Sequence, residues 1–149
     1  MIISLLLKDQ DCTKMRASRS HPERDIEKRI LAFLKECGIL CWKNKSVGTF
    51  SKDFNTFLRL PSGAIKGVSD ILGCLSNGRI LAIEVKTRIG RPTQDQLKFI
   101  SDIQANNGIA FISRSVSQTY SQLVSIEPGF KSFEHIAKKY EKIEHKQQQ

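Results

Sequence analysis

The sequence predicts an α/β domain, a mixed and mostly antiparallel central sheet flanked by helices, and three observations carry that expectation. Apolar patterning runs in the order helix, three or four strands, helix, strand, helix. Turn residues punctuate the strands at Pro61-Ser62-Gly63 and Ser76-Asn77-Gly78. A helical segment separates the apolar strands at residues 79–86 and 109–113, and such a crossover makes them parallel neighbours. At 149 residues the chain holds one domain with a proper core.

The first helix is expected over residues 21–37. Ser20 with Glu23 three residues on has the form of a capping box, Pro22 suits the first turn, and Gly38 supplies the stop. Residues 39–43 read as a strand, followed by a polar loop through Asn44, Gly48 and Ser51. Residues 54–60 alternate as a second strand, and 68–75 and 79–86 form two more around Ser76-Asn77-Gly78. The second helix, 94–105, is capped by Thr93 and ends at Asn106-Asn107-Gly108. A short strand at 109–113 and a short helix at 117–123 follow, and from Phe133 the chain is helix-like, ending in a charged, glutamine-rich tail. The expected division is an extension at 1–19, a domain at 20–125 and a helical C-terminal extension at 126–149, with Met15 as an alternative translation start.

The 24 basic residues outnumber 15 acidic ones for a net charge of +9, which points to a polyanionic partner, nucleic acid before an anionic membrane surface. Cys12, Cys37, Cys41 and Cys74 are not answered by paired histidines, because His21, His135 and His145 are scattered; a structural zinc site is not expected. Cys37 and Cys74 read as small core hydrophobes in a reducing cytosol. Residues 2–7 are too short and lack the preceding basic residues of a secretory signal, and no apolar run reaches bilayer length. The expectation is a cytoplasmic protein acting on nucleoid DNA.

Three acidic positions stand out because burying an unpaired carboxylate costs several kcal/mol. Glu27 falls in the apolar sector of the first helix, between Leu34 and Leu31; it reads either as a buried ion pair or as a carboxylate aimed at a metal. Glu23 borders that sector, and the capping box accounts for it. Asp70 and Glu84 flank the hairpin turn. A three-residue loop with Gly78 in the left-handed conformation sets Cys74 opposite Ile80, Leu72 opposite Ala82 and Asp70 opposite Glu84, so two carboxylates converge on one face. A two-residue Asn-Gly turn would place them on opposite faces. Asp70 reads otherwise as a strand-start residue at a bend. Lys86 shares the face of Glu84, where it can polarise a water, stabilise charge in a transition state, or simply pair with Glu84. Gln96 completes a capping box with Thr93, or holds a water or phosphate at the helix start.

This set resembles the PD-(D/E)XK nuclease superfamily, with its restriction-endonuclease-like fold, and most of all its virus-type replication-repair nuclease (VRR-NUC) domains. The resemblance covers roughly residues 25–123 and rests on Glu27, Lys66-Gly67-Val68-Ser69-Asp70, Ala82-Ile83-Glu84-Val85-Lys86, Thr93 to Gln96 and Gly108-Ile109-Ala110-Phe111, with Ser69 standing where the superfamily has proline. It implies an αβββαβ core and phosphodiester hydrolysis dependent on Mg²⁺ or Mn²⁺. It also implies that the Val85 carbonyl joins Asp70 and Glu84 as a metal ligand, with Glu27 as a further candidate. Members acting without extra DNA-reading domains are often homodimers that cut branched or flap DNA.

Lys43 and Lys45 open one basic loop, Lys66 precedes the Asp70 segment, and Arg88 and Arg91 follow Lys86; such residues supply sequence-independent affinity for a DNA backbone. Phe133, Ile136, Ala137 and Tyr140 recur at helical spacing, which suits either a core edge or a homo-oligomer interface. The functional expectation is a metal-dependent DNA endonuclease acting on branched or structured DNA. The alternatives are a site-specific homing or restriction endonuclease, and a non-catalytic basic DNA-binding protein on a nuclease fold.

Overall fold

Helix α1, Pro22–Glu36, opens the computed structural model, which describes residues 21–45, 50–51, 56–57 and 62–146. The expected N-terminal extension and Met15 lie outside the described residues. The capping box through Ser20 is corrected: Ser20 is outside the described residues, His21 occupies the N-cap without a side-chain hydrogen bond, and Glu23 is turned elsewhere. The cause is Pro22, whose fixed φ and missing N–H favour the first helical position and so put the cap at residue 21. Gly38, at φ 75°, ends the helix as expected.

Strands β1 (Leu40–Lys43), β4 (Ile71–Cys74), β5 (Ile80–Val85) and β6 (Ile109–Ser113) form one sheet in the order β1-β4-β5-β6. β1 and β5 pair antiparallel with β4, whereas β6 runs parallel to β5 because helix α2, Gln94–Ala105, crosses over between them. The strand expected over 54–60 is described only in part. Only Thr56–Phe57 (β3) is a described strand there, and it pairs with Phe50–Ser51 (β2) in a separate ladder. β1 already occupies the outer side of β4, so the main sheet offers that segment no place beside β4. Residues 54–55 and 58–60 lie outside the described residues.

The β4–β5 turn has the predicted three-residue form. Leu75 N donates to Arg79 O at 2.9 Å, Gly78 N donates to Leu75 O at 2.9 Å, and Gly78 has φ 84°. The register follows: Cys74 faces Ile80, Leu72 faces Ala82 and Ile71 faces Ile83, which carries Asp70 to Glu84 one step beyond the ladder.

Strand alternation then sorts side chains onto two faces. Ile71, Leu81, Ile83 and Val85 pack with Ile30, Phe33 and Leu34 of α1, with Leu123 of helix α3 (Val116–Ile126), and with Ala137 and Tyr140 of helix α4 (Glu134–Lys146). Fully burying each Leu or Ile contributes about 1.5–3 kcal/mol. Ala82 and Ala110 face the other way, against Phe99 and Ile100 of α2, with Leu72 and Ile112 alongside. A 3-10 turn, Pro128–Phe133, leads into α4, whose Ala137 and Tyr140 are buried in this core: Tyr140 meets the Phe33 ring edge-on at 6.1 Å and its hydroxyl donates to Glu36 at 2.8 Å. Residues 134–146 therefore belong to the same packed body as α1. Cys37 and Cys41 are buried free thiols, Cys74 is half-buried, and burial first, then Glu36, pushes the Cys37 thiol up to about 12. Among the described residues no helix is long and apolar enough to cross a membrane.

Candidate metal centre

Where β5 ends, its apolar face continues into Val85 while its other face turns polar through Glu84 and Lys86. Three elements converge on that polar end. The hairpin register brings Asp70 beside it, and the Asp70 carboxylate is anchored by accepting from Val85 N at 2.9 Å, while Asp70 O accepts from Asn44 N at 2.7 Å. The first turn of α2 brings Gln96. Gly67 permits this approach: it sits at φ 70°, and a Cβ there would lie 2.2 Å from the Asp95 carbonyl carbon.

Gln96 forms the expected capping box, and its side-chain amide reaches Glu84. Its Oε1 accepts from Thr93 N at 2.8 Å and its backbone N donates to Thr93 Oγ1 at 3.3 Å, which is the capping box. Its Nε2 remains free to donate to Glu84 Oε1 at 2.5 Å. Lys86 Nζ donates to the same oxygen at 2.5 Å. Glu84 is 0% exposed, and its other oxygen, Oε2, is buried with no hydrogen-bond partner. Burial pushes the Glu84 carboxyl up to about 7; the Lys86 hydrogen bond opposes this and the neighbouring Asp70 carboxylate reinforces it.

Glu27 is buried but stands apart from this group. Both its oxygens are engaged by Lys43 Nζ, at 2.7 and 2.9 Å, and Lys43 lies on the strand face of Cys41, the face that α1 covers, at the edge of the core. Among the described residues no three His, Cys, Asp or Glu side chains cluster as a metal site. The donor set at Asp70 and Glu84 nevertheless fits Mg²⁺, which takes one or two carboxylates and fills its octahedron with water and substrate phosphates. The orphaned Glu84 Oε2 is the observation that meets this requirement. Ser69, one residue before Asp70, is likewise fully buried with an unpartnered hydroxyl.

Of the basic residues singled out for a DNA backbone, Lys45, Lys66, Arg88 and Arg91 are exposed, and Lys43 is held by Glu27. Two contacts were not foreseen. Glu23 Oε1 accepts from Thr87 N at 3.4 Å, closing α1 onto the exit of β5 beside a cleft of about 320 Å³ that Glu27 and Arg24 also line. Arg114 Nη2 donates to Gly90 O at 3.3 Å and ties the loop after β5 to the end of β6. The i,i+4 spacing of Glu23 and Glu27 was the available signal for the first; nothing local marks the second.

Comparison with known protein families, curated proteins and solved structures finds no match.

Proposed function

We propose that this protein is a metal-dependent DNA endonuclease that hydrolyses phosphodiester bonds in branched or otherwise structured DNA. The observation that carries the reading is the half-satisfied Glu84: fully buried, held through one oxygen by Lys86 and Gln96, open at the other, and set beside Asp70. Leaving a buried acceptor unpaired costs about 1–3 kcal/mol, a penalty that a cation would offset.

On this reading Asp70, Glu84 and the Val85 carbonyl would hold Mg²⁺ or Mn²⁺, which supplies Lewis acidity at the scissile phosphate. The Val85 amide fixes the Asp70 carboxylate, so that ligand is oriented before substrate arrives. Gln96 orients Glu84 from a capped, and therefore rigid, helix start. Lys86, which contacts Glu84, would donate to a phosphate oxygen as charge builds there, while water attacks phosphorus and releases its proton to solvent, and the P–O bond to the leaving strand breaks as its oxygen takes a proton from solvent. Lys45, Lys66, Arg88 and Arg91 supply backbone affinity.

The test is incubation with junction, flap, nicked and linear DNAs in Mg²⁺ or Mn²⁺. Cleavage should stop with a chelator and return with added metal, and Asp70→Ala should bind DNA without cutting it. Tight DNA binding with no cleavage of any substrate would instead favour a non-catalytic DNA-binding protein.

A further inference from the structure

The loop that leaves β5 carries the most exposed large apolar side chain among the described residues. Ile89 is 88% exposed, with Arg88 before it and Arg91 two residues after, both exposed. A single exposed isoleucine is ordinary on a surface, but this one is mounted on a braced support. At its base Thr87 N donates to Glu23 on α1 at 3.4 Å. Gly90 N donates back to Thr87 Oγ1 at 3.0 Å and Thr87 O at 3.2 Å, which closes a tight turn around Ile89. Arg114 Nη2 holds the Gly90 carbonyl at 3.3 Å from the end of β6. Gly90 itself has little room for a side chain, since a Cβ would lie 3.0 Å from Thr87 Oγ1 and 3.2 Å from Glu23 Oε1. The tip is thus tied to α1 and β6, and it begins at Lys86, whose ammonium contacts Glu84.

An apolar tip flanked by arginines has a definite complement. Arginine guanidinium groups bind the phosphates that bracket a base step, while an aliphatic side chain between them can enter the step and unstack its bases. Opening a step in an intact duplex costs a few kcal/mol; at a branch or flap much of that cost is already met by the substrate. We propose that Ile89 is a wedge that parts the weakened base step at a DNA branch point, with Arg88 and Arg91 on the adjoining phosphates, and thereby sets both the preference for branched DNA and the distance from branch to cut. This rests on the nuclease reading above.

The experiment places 2-aminopurine at the base next to the branch of a flap substrate. Its fluorescence is followed on binding in EDTA, and cleavage is measured separately in Mg²⁺. Wild type should raise the fluorescence severalfold, as expected for an unstacked base. Ile89→Ala, which touches no buried contact, should abolish that rise and lower kcat/KM on the flap by about tenfold or more, with affinity within about threefold of wild type. Ile89→Phe should keep both signals. Arg88→Ala should weaken binding to all DNAs alike and reduce the salt slope by about one. Ile89→Ala behaving as wild type in both assays overturns the wedge. Cleavage with no fluorescence rise in wild type removes the wedge and leaves the nuclease standing. A rise lost in Ile89→Ala, without cleavage of any DNA, keeps the wedge as a binding device and removes the nuclease. Failure to bind DNA removes both.

Discussion

Glu27 and Glu84 are both buried glutamates facing a lysine, yet the two pairs are finished to different degrees. Lys43 engages both oxygens of Glu27 and keeps part of its own side chain in solvent, so charge and hydrogen bonding are met with nothing left over. Lys86 and Gln96 crowd onto one oxygen of Glu84 and leave the other sealed in the protein without a donor. The first pair closes α1 onto β1. The second holds a carboxylate oriented but incomplete, beside a second carboxylate, in the way a cation site would be prepared. A lysine near a buried acid therefore does not by itself tell the two pairs apart; the count of unmet acceptor oxygens does.

The contrast breaks most visibly in activity. On the proposed function, Glu84→Ala should lower cleavage by about a thousandfold or more, whereas Glu27→Ala should cost less than about tenfold; single-turnover assays in Mg²⁺ compare them. Equal losses would make the two glutamates parts of one centre.

Stability should separate them next, through pH. The folded Glu84 carboxyl is raised to about 7 from an ordinary 4.5, so across that window the native state binds more protons than the unfolded state. In the absence of metal, the Glu84 contribution to stability should therefore be fullest below about pH 4.5 and be lost as pH rises toward 7, by an amount on the order of 3 kcal/mol. Glu84→Gln should abolish that decline and be the more stable protein at pH 8 in chelator; urea melts at pH 5 and 8 measure it. Lys43→Met should act in the opposite sense, destabilising by about 1–2 kcal/mol because it strands a buried carboxylate. The smallest effect belongs to the turn. Gly78→Ala places a Cβ at φ 84° with open space around it, so strain alone should cost about 1 kcal/mol while register and cleavage persist.

That turn was legible because two independent demands agreed: a glycine able to take positive φ, and two carboxylates needing one face. The register of β4 on β5 follows from them as predicted. The α2 crossover was legible for a similar reason, since the capping residues, the helix and the apolar strand after it each point the same way. Glu27 was not resolved, because its partner Lys43 is sixteen residues away and depends on how α1 lies over β1. The Glu23 contact was illegible for the same reason at a separation of sixty-four, compounded by Pro22, which puts the cap at His21 rather than where Glu23 would complete a capping box. The apolar stripe of α4 suits core or interface by its pattern alone, and only the arrival of Phe33 shows that Tyr140 belongs to the core. Local pattern determines which side chains share a face; it does not determine which element arrives to cover them.

The claim that Glu84 is held open for a cation is tested most directly by Mn²⁺ binding without DNA, followed by electron paramagnetic resonance at pH 8. Wild type and Glu27→Ala should each bind Mn²⁺ at the same site with similar affinity, and Asp70→Ala and Glu84→Ala should lose it. Wild-type binding in Glu84→Ala, or loss of binding in Glu27→Ala alone, would contradict the account.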